Sequence, residues 1–94
     1  MERVYGPFNF DLSKFPEEEL EKYRGTLNEI KKKMGQDGII GGSLIDYNGR
    51  LYVSPVISRD VKNPRKVLDG RFKGIRIAYR LGTVGGTRFP VPRV

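Results

Sequence analysis

The chain is 94 residues long, enough for one domain with a modest core, and it contains neither cysteine nor histidine. That composition excludes a disulfide framework, a thiolate zinc site, a nucleophilic thiol and imidazole acid–base chemistry, which leaves any catalysis to carboxylates, Lys, Arg, Tyr or Ser. The net charge of +7 is unevenly held: residues 1–47 have 7 basic against 9 acidic side chains and residues 48–94 have 11 against 2, a concentration of cations that attracts polyanions.

In residues 1–15, Gly6 and Pro7 forbid an early helix, while Phe8, Phe10 and Leu12 alternate with Asn9 and Asp11. The alternation predicts either a short edge strand or an arm whose aromatics, with Tyr5 and Phe15, dock on the body or on a neighbouring subunit. Pro16 to Met34 reads as a helix, because Leu20, Tyr23, Leu27, Ile30 and Met34 form one stripe at spacings of 3, 4, 3 and 4. Ser13 is the expected cap. Glu17 to Glu19 suit the positive end of the helix dipole and Lys31 to Lys33 the negative end. Gly25 weakens the helix interior, and Gly35 ends it.

Gly38 to Ser58 holds two apolar runs around Asn48-Gly49, the pair best suited to a two-residue turn with positive φ at both positions. That turn sets Tyr47 opposite Arg50, Asp46 opposite Leu51, Ile45 opposite Tyr52, Leu44 opposite Val53 and Ser43 opposite Ser54. Opposed residues share a face, so Leu44, Leu51 and Val53 take one side and Ile45, Tyr47, Arg50 and Tyr52 the other. Gly41-Gly42 suggests a bulge.

A polar link at 59–62 leads to Asn63-Pro64 and a terminating Gly70, which suggest a short helical turn over 64–69. Arg71 to Leu81 reads as a third main strand. Its core face is Ile75, Ile77, Tyr79 and Leu81, and its basic face is Phe72, Gly74, Arg76, Ala78 and Arg80. A glycine-rich turn at 83–86 and a brief strand at 87–89 precede an extended, Pro-bracketed tail over 88–94. These elements predict one α+β domain over 1–94: a long amphipathic helix on a mainly antiparallel sheet of three to five strands, with an aromatic arm at 1–15.

Three functional readings follow. In the first, Tyr47, Arg50, Tyr52, Arg76 and Arg80 form a face on which unpaired bases stack and phosphates pair, flanked by Arg59, Lys62, Arg65, Lys66, Arg71 and Lys73. This makes the protein a non-catalytic DNA- or RNA-binding protein with no cofactor and no resident metal. In the second, the arm and tail serve a homo-oligomer or a larger assembly, such as a virion, as a scaffold subunit.

The third reading rests on Asp46, Asp60 and Lys62, a D, spacer, D-x-K order that is similar to the signature of the restriction-endonuclease-like fold and implies two carboxylates holding Mg²⁺ beside a polarising lysine. The helix-then-sheet order also resembles small ribonuclease toxins, although no motif of theirs is present. Neither glycine cluster is a phosphate loop, since no Lys-Ser/Thr step into a helix follows. No apolar run approaches the roughly 18 residues of a membrane span, and Met1 to Pro7 lacks the layout of a secretion signal. The expectation is a soluble cytoplasmic protein without a membrane partner.

Overall fold

The computed structural model describes residues 1–36, 38–68, 72 and 74–83. It contains strands β1 (Glu2–Arg3) and β2 (Phe8–Asn9), helix α1 (Glu17–Lys31), strands β3 (Ile39–Tyr47) and β4 (Arg50–Ser58), a single 3₁₀ turn at Pro64–Lys66, and strand β5 (Ala78–Gly82). The five strands form one sheet in the order β1-β5-β4-β3-β2, with α1 across one face. This is an α+β fold.

The hairpin has the register that its turn dictates. Tyr47 pairs with Arg50 and each step back to Ser43 with Ser54 follows; Asn48 and Gly49 have φ of 57° and 79°. The register slips between Ile39 and Gly41, a bulge next to the glycine pair. Leu44, Leu51 and Val53 accordingly face α1, joined by Ile39 and Ile57, and meet Leu20, Tyr23, Leu27 and Ile30 of the helix. Ile30, Ile39, Leu51, Val53 and Ile57 have no exposed surface, and each such side chain contributes about 1.5–3 kcal/mol by leaving water.

The helix is shorter than its stripe suggests. It ends at Lys31, and Met34 lies in the following turns, exposed. Pro16, not Ser13, occupies the N-cap position, and no side chain caps it. The Ser13 N–H instead donates to Asp11 Oδ1 at 3.1 Å, and that bond holds the Asp11 carboxyl below its ordinary pKa. Gly25 faces open space with ordinary φ. A Gly25→Ala variant is therefore expected to gain about 0.5–1 kcal/mol, read as a rise in thermal midpoint.

The sheet is mixed and, by paired residues, mainly antiparallel as expected. β2–β3 and β3–β4 are antiparallel, but β5 runs parallel to both β4 and β1. A parallel neighbour needs a crossover, and the described residues between β4 and β5 place it on the helix side, where Val67 and Leu68 are buried in the core with Phe72 and Ile75 packed against it. The third strand is shorter than 71–81, because before Ala78 only an isolated bridge links Ile77 to Val53. Ile75, Ile77, Tyr79 and Leu81 do line the core. The predicted turn at 83–86, brief strand at 87–89 and tail at 88–94 lie outside the described residues, except Thr83.

Candidate nucleic-acid interface

The face of the sheet away from α1 is not open along its length. From β1 at one edge the chain crosses to β2 at the opposite edge, and residues 4–8 lie over the sheet on the way. Val4 and Phe8 pack on Ile45, Tyr47, Tyr52 and Ala78. The Tyr47 hydroxyl pins the crossing: it accepts from the Tyr5 N–H at 2.8 Å and donates to the Tyr5 carbonyl at 2.9 Å. Tyr47 and Tyr52 are consequently only 4 % and 9 % exposed, their rings edge-to-face at 5.4 Å. Neither ring is accessible to a base. They are core residues of a second, smaller cluster.

Arg76 also departs from the expected face. Its Nη2 donates to Glu19 Oε2 at 3.0 Å and its Nε to the Leu51 carbonyl at 3.1 Å. Its guanidinium carbon lies 5.7 Å from the Tyr23 ring centroid, within a shallow groove between the start of α1 and residues 74–76. The acidic helix neutralises this cation. Of the predicted basic face of the third strand, Phe72 joins the main core and Ala78 is buried beneath the arm, so Arg80 is the described cation that remains on the far side of the sheet from α1.

Arg80 pairs with Val56 across the parallel ladder. Its Nε donates to Ser54 Oγ at 2.9 Å and its Nη2 to Ser43 Oγ at 2.8 Å. The guanidinium carbon is 5.2 Å from the Phe8 ring centroid and 5.9 Å from that of Phe10. Partial burial pushes its pKa below the ordinary arginine value.

The exposed rings on this side come from the arm. Tyr5 is 64 % and Phe10 62 % exposed. Each has an arginine beside it, since Arg3 stands 5.3 Å from the Tyr5 centroid and Arg80 lies close to Phe10. Sequence reasoning passed over Tyr5 and Phe10 as stacking groups, and the signal available was the period-2 spacing of Phe8 and Phe10, which sends both to one face. Arg50 lies opposite Tyr47 on this face at the hairpin end, exposed.

No family model, curated protein or solved structure matches this chain. The remaining cations therefore have to be read from position alone. Arg59, Lys62, Arg65 and Lys66 are exposed on the segment leaving β4. Lys31 and Lys32 are exposed at the end of α1, and the chain that follows them returns to the same end of the sheet, where the Gly38 carbonyl accepts from the Ser58 N–H at 2.8 Å. Arg71 and Lys73 lie outside the described residues. The described cations of the second half thus do not form one patch: Arg50 is at the hairpin end of β4 and Arg59 just beyond its other end, separated by a strand about 25 Å long.

The metal-centre reading fails on the same geometry. Asp46 lies across from Leu51, whereas Asp60 and Lys62 follow Ser58, seven residues and about 23 Å further along β4. Asp46 pairs with Lys14 Nζ at 3.0 Å and takes a long bond from Asn9; Asp60 closes a local turn on Ser58. Two carboxylates so far apart cannot share a cation. Among the described residues no acidic cluster suited to a metal ion occurs, and none of their helices is long and apolar enough to cross a membrane.

Proposed function

We propose that this protein binds nucleic acid without catalysis, through the arm-covered side of its sheet. The observation that supports this reading is the pairing of two exposed aromatic rings, Tyr5 and Phe10, each with a guanidinium within 6 Å, on the side of the sheet away from the acidic helix. Aromatic rings accept unpaired bases of any sequence, and guanidinium groups pair with the phosphates between them. The cationic second half adds a long-range attraction to which exposed Arg50, Arg59, Lys62, Arg65 and Lys66 contribute.

Affinity for a mixed-sequence single-stranded oligonucleotide, measured at two salt concentrations, tests it. Binding at low salt that weakens by about tenfold or more on raising salt from 50 to 200 mM is the expected result. No binding at low salt refutes the proposal.

One observation favours a second reading, in which the protein is a subunit of a homo-oligomer or larger assembly. β2 pairs with β3 only at Tyr47 and Asp46, so the outer edge of β3 from Ile39 to Ile45 has no strand beside it among the described residues. An edge of that length is a template for strand addition. Light scattering across a concentration series separates the two: a strict monomer that binds the oligonucleotide favours the first, and a stable oligomer without affinity favours the second.

A further inference from the structure

We propose that Arg80, together with the Ser43 hydroxyl, forms a receptor for a single phosphate group on the sheet face opposite α1. This deepens the nucleic-acid reading and rests on it for the choice of phosphate over other anions. The guanidinium is half-buried between neutral partners: Ser54 Oγ, Ser54 carbonyl at 3.4 Å, Ser43 Oγ and the rings of Phe8 and Phe10. No described carboxylate reaches it. Asp46 is engaged by Lys14, Glu19 by Arg76 and Glu17 by Arg24. A desolvated cation held only by neutral acceptors lacks the counter-charge that would offset its transfer from water.

The three bonds to serine atoms use Nε and Nη2, which leaves the two N–H groups of Nη1 without a described acceptor. They also fix the plane of the fork, so the side-chain entropy that a free arginine loses on binding is already spent. Ser43 accepts from Nη2 through its oxygen, and its own hydroxyl proton is thereby free to donate. Ser43 is half-buried, whereas Ser54 is fully buried; Ser43 is thus the hydroxyl within reach of solvent. Nη1 and the Ser43 hydroxyl proton remain as donors for an oxyanion beside a positive charge. Phe10, exposed next to the same guanidinium, supplies the adjoining platform for a base.

The test is a titration of the full chain with inorganic phosphate, following the Arg80 Nε–Hε resonance and the Ser43 amide by NMR. Sodium chloride and sodium acetate at equal ionic strength serve as parallel arms. A saturable shift with phosphate alone is expected. It should weaken by about tenfold in Arg80→Lys, which keeps the charge but cannot hold both serines and still present the Nη1 donors, and by several-fold in Ser43→Ala. No saturable shift, an equal response to acetate or chloride, or wild-type binding by both variants overturns the proposal. A mixed-sequence oligonucleotide added in a final arm distinguishes the two levels. If it binds without moving Arg80, the receptor is refuted while the nucleic-acid reading stands. If phosphate moves Arg80 but the oligonucleotide does not bind at low salt, the receptor stands and the nucleic-acid reading falls.

Discussion

A Tyr5→Ala, Phe10→Ala double variant is expected to bind a mixed-sequence single-stranded oligonucleotide roughly 30- to 1,000-fold more weakly than the wild type. Base stacking on an aromatic ring is worth about 1–3 kcal/mol; at the lower part of that range, about 1–2 kcal/mol for each of these solvent-exposed rings, the two account for about 2–4 kcal/mol of affinity. Both rings are nearly two-thirds exposed, and truncating them removes little buried surface. The thermal midpoint should consequently move by no more than a few degrees, which separates lost contact from lost fold. Fluorescence anisotropy at fixed salt reads the affinity. Phe8→Ala is the contrasting substitution: Phe8 packs on the Ile45, Tyr47, Tyr52 and Ala78 cluster, so its loss registers first in stability.

A Tyr47→Phe variant is expected to lose about 1–3 kcal/mol of stability, although its ring fills the same space. The missing hydroxyl leaves the Tyr5 N–H and carbonyl without the partner that holds both, and an unsatisfied part-buried amide costs more than the bond itself contributes. The loss should be local. β1 and β2 are two residues each, so the arm relies on this anchor, whereas the β3–β4 ladder of eight paired positions does not. Hydrogen exchange checks the prediction: the amides of Glu2, Val4 and Tyr5 should lose protection, while those of Ile45, bonded within the hairpin ladder, and Val53, bonded to the Arg76 carbonyl, keep theirs. Oligonucleotide affinity should fall too, because Tyr5 and Phe10 are positioned by that same crossing.

Local chemistry explains what was legible in the sequence. Asn48-Gly49 selects one turn, the turn selects the register, and the register assigns every side chain of β3 and β4 to a face. The stripe of α1 likewise needed only its own spacing, and it erred only past Lys31, where the turns to Gly35 take over. What was hidden depended on partners distant in sequence. The parallel setting of β5 is decided by a crossover burying Val67 and Leu68, which no local pattern encodes. Arg76 reads as one of an alternating pair with Arg80, yet Glu19, 57 residues away, captures it. Tyr47 and Tyr52 were placed on the correct face, but the face is roofed by an arm that could equally have docked elsewhere. The basic half is therefore real as composition, and its described cations are divided as surface.

The most direct measurement is an NMR map of the free protein against the protein saturated with a short single-stranded oligonucleotide. The account predicts perturbations at Arg3 to Phe10, Ser43, Arg50 and Arg80, with the outward face of α1 around Glu21 and Asn28 unmoved. Perturbations confined to Lys31, Lys32 and residues 59–66, with Tyr5, Phe10 and Arg80 unaffected, would contradict it.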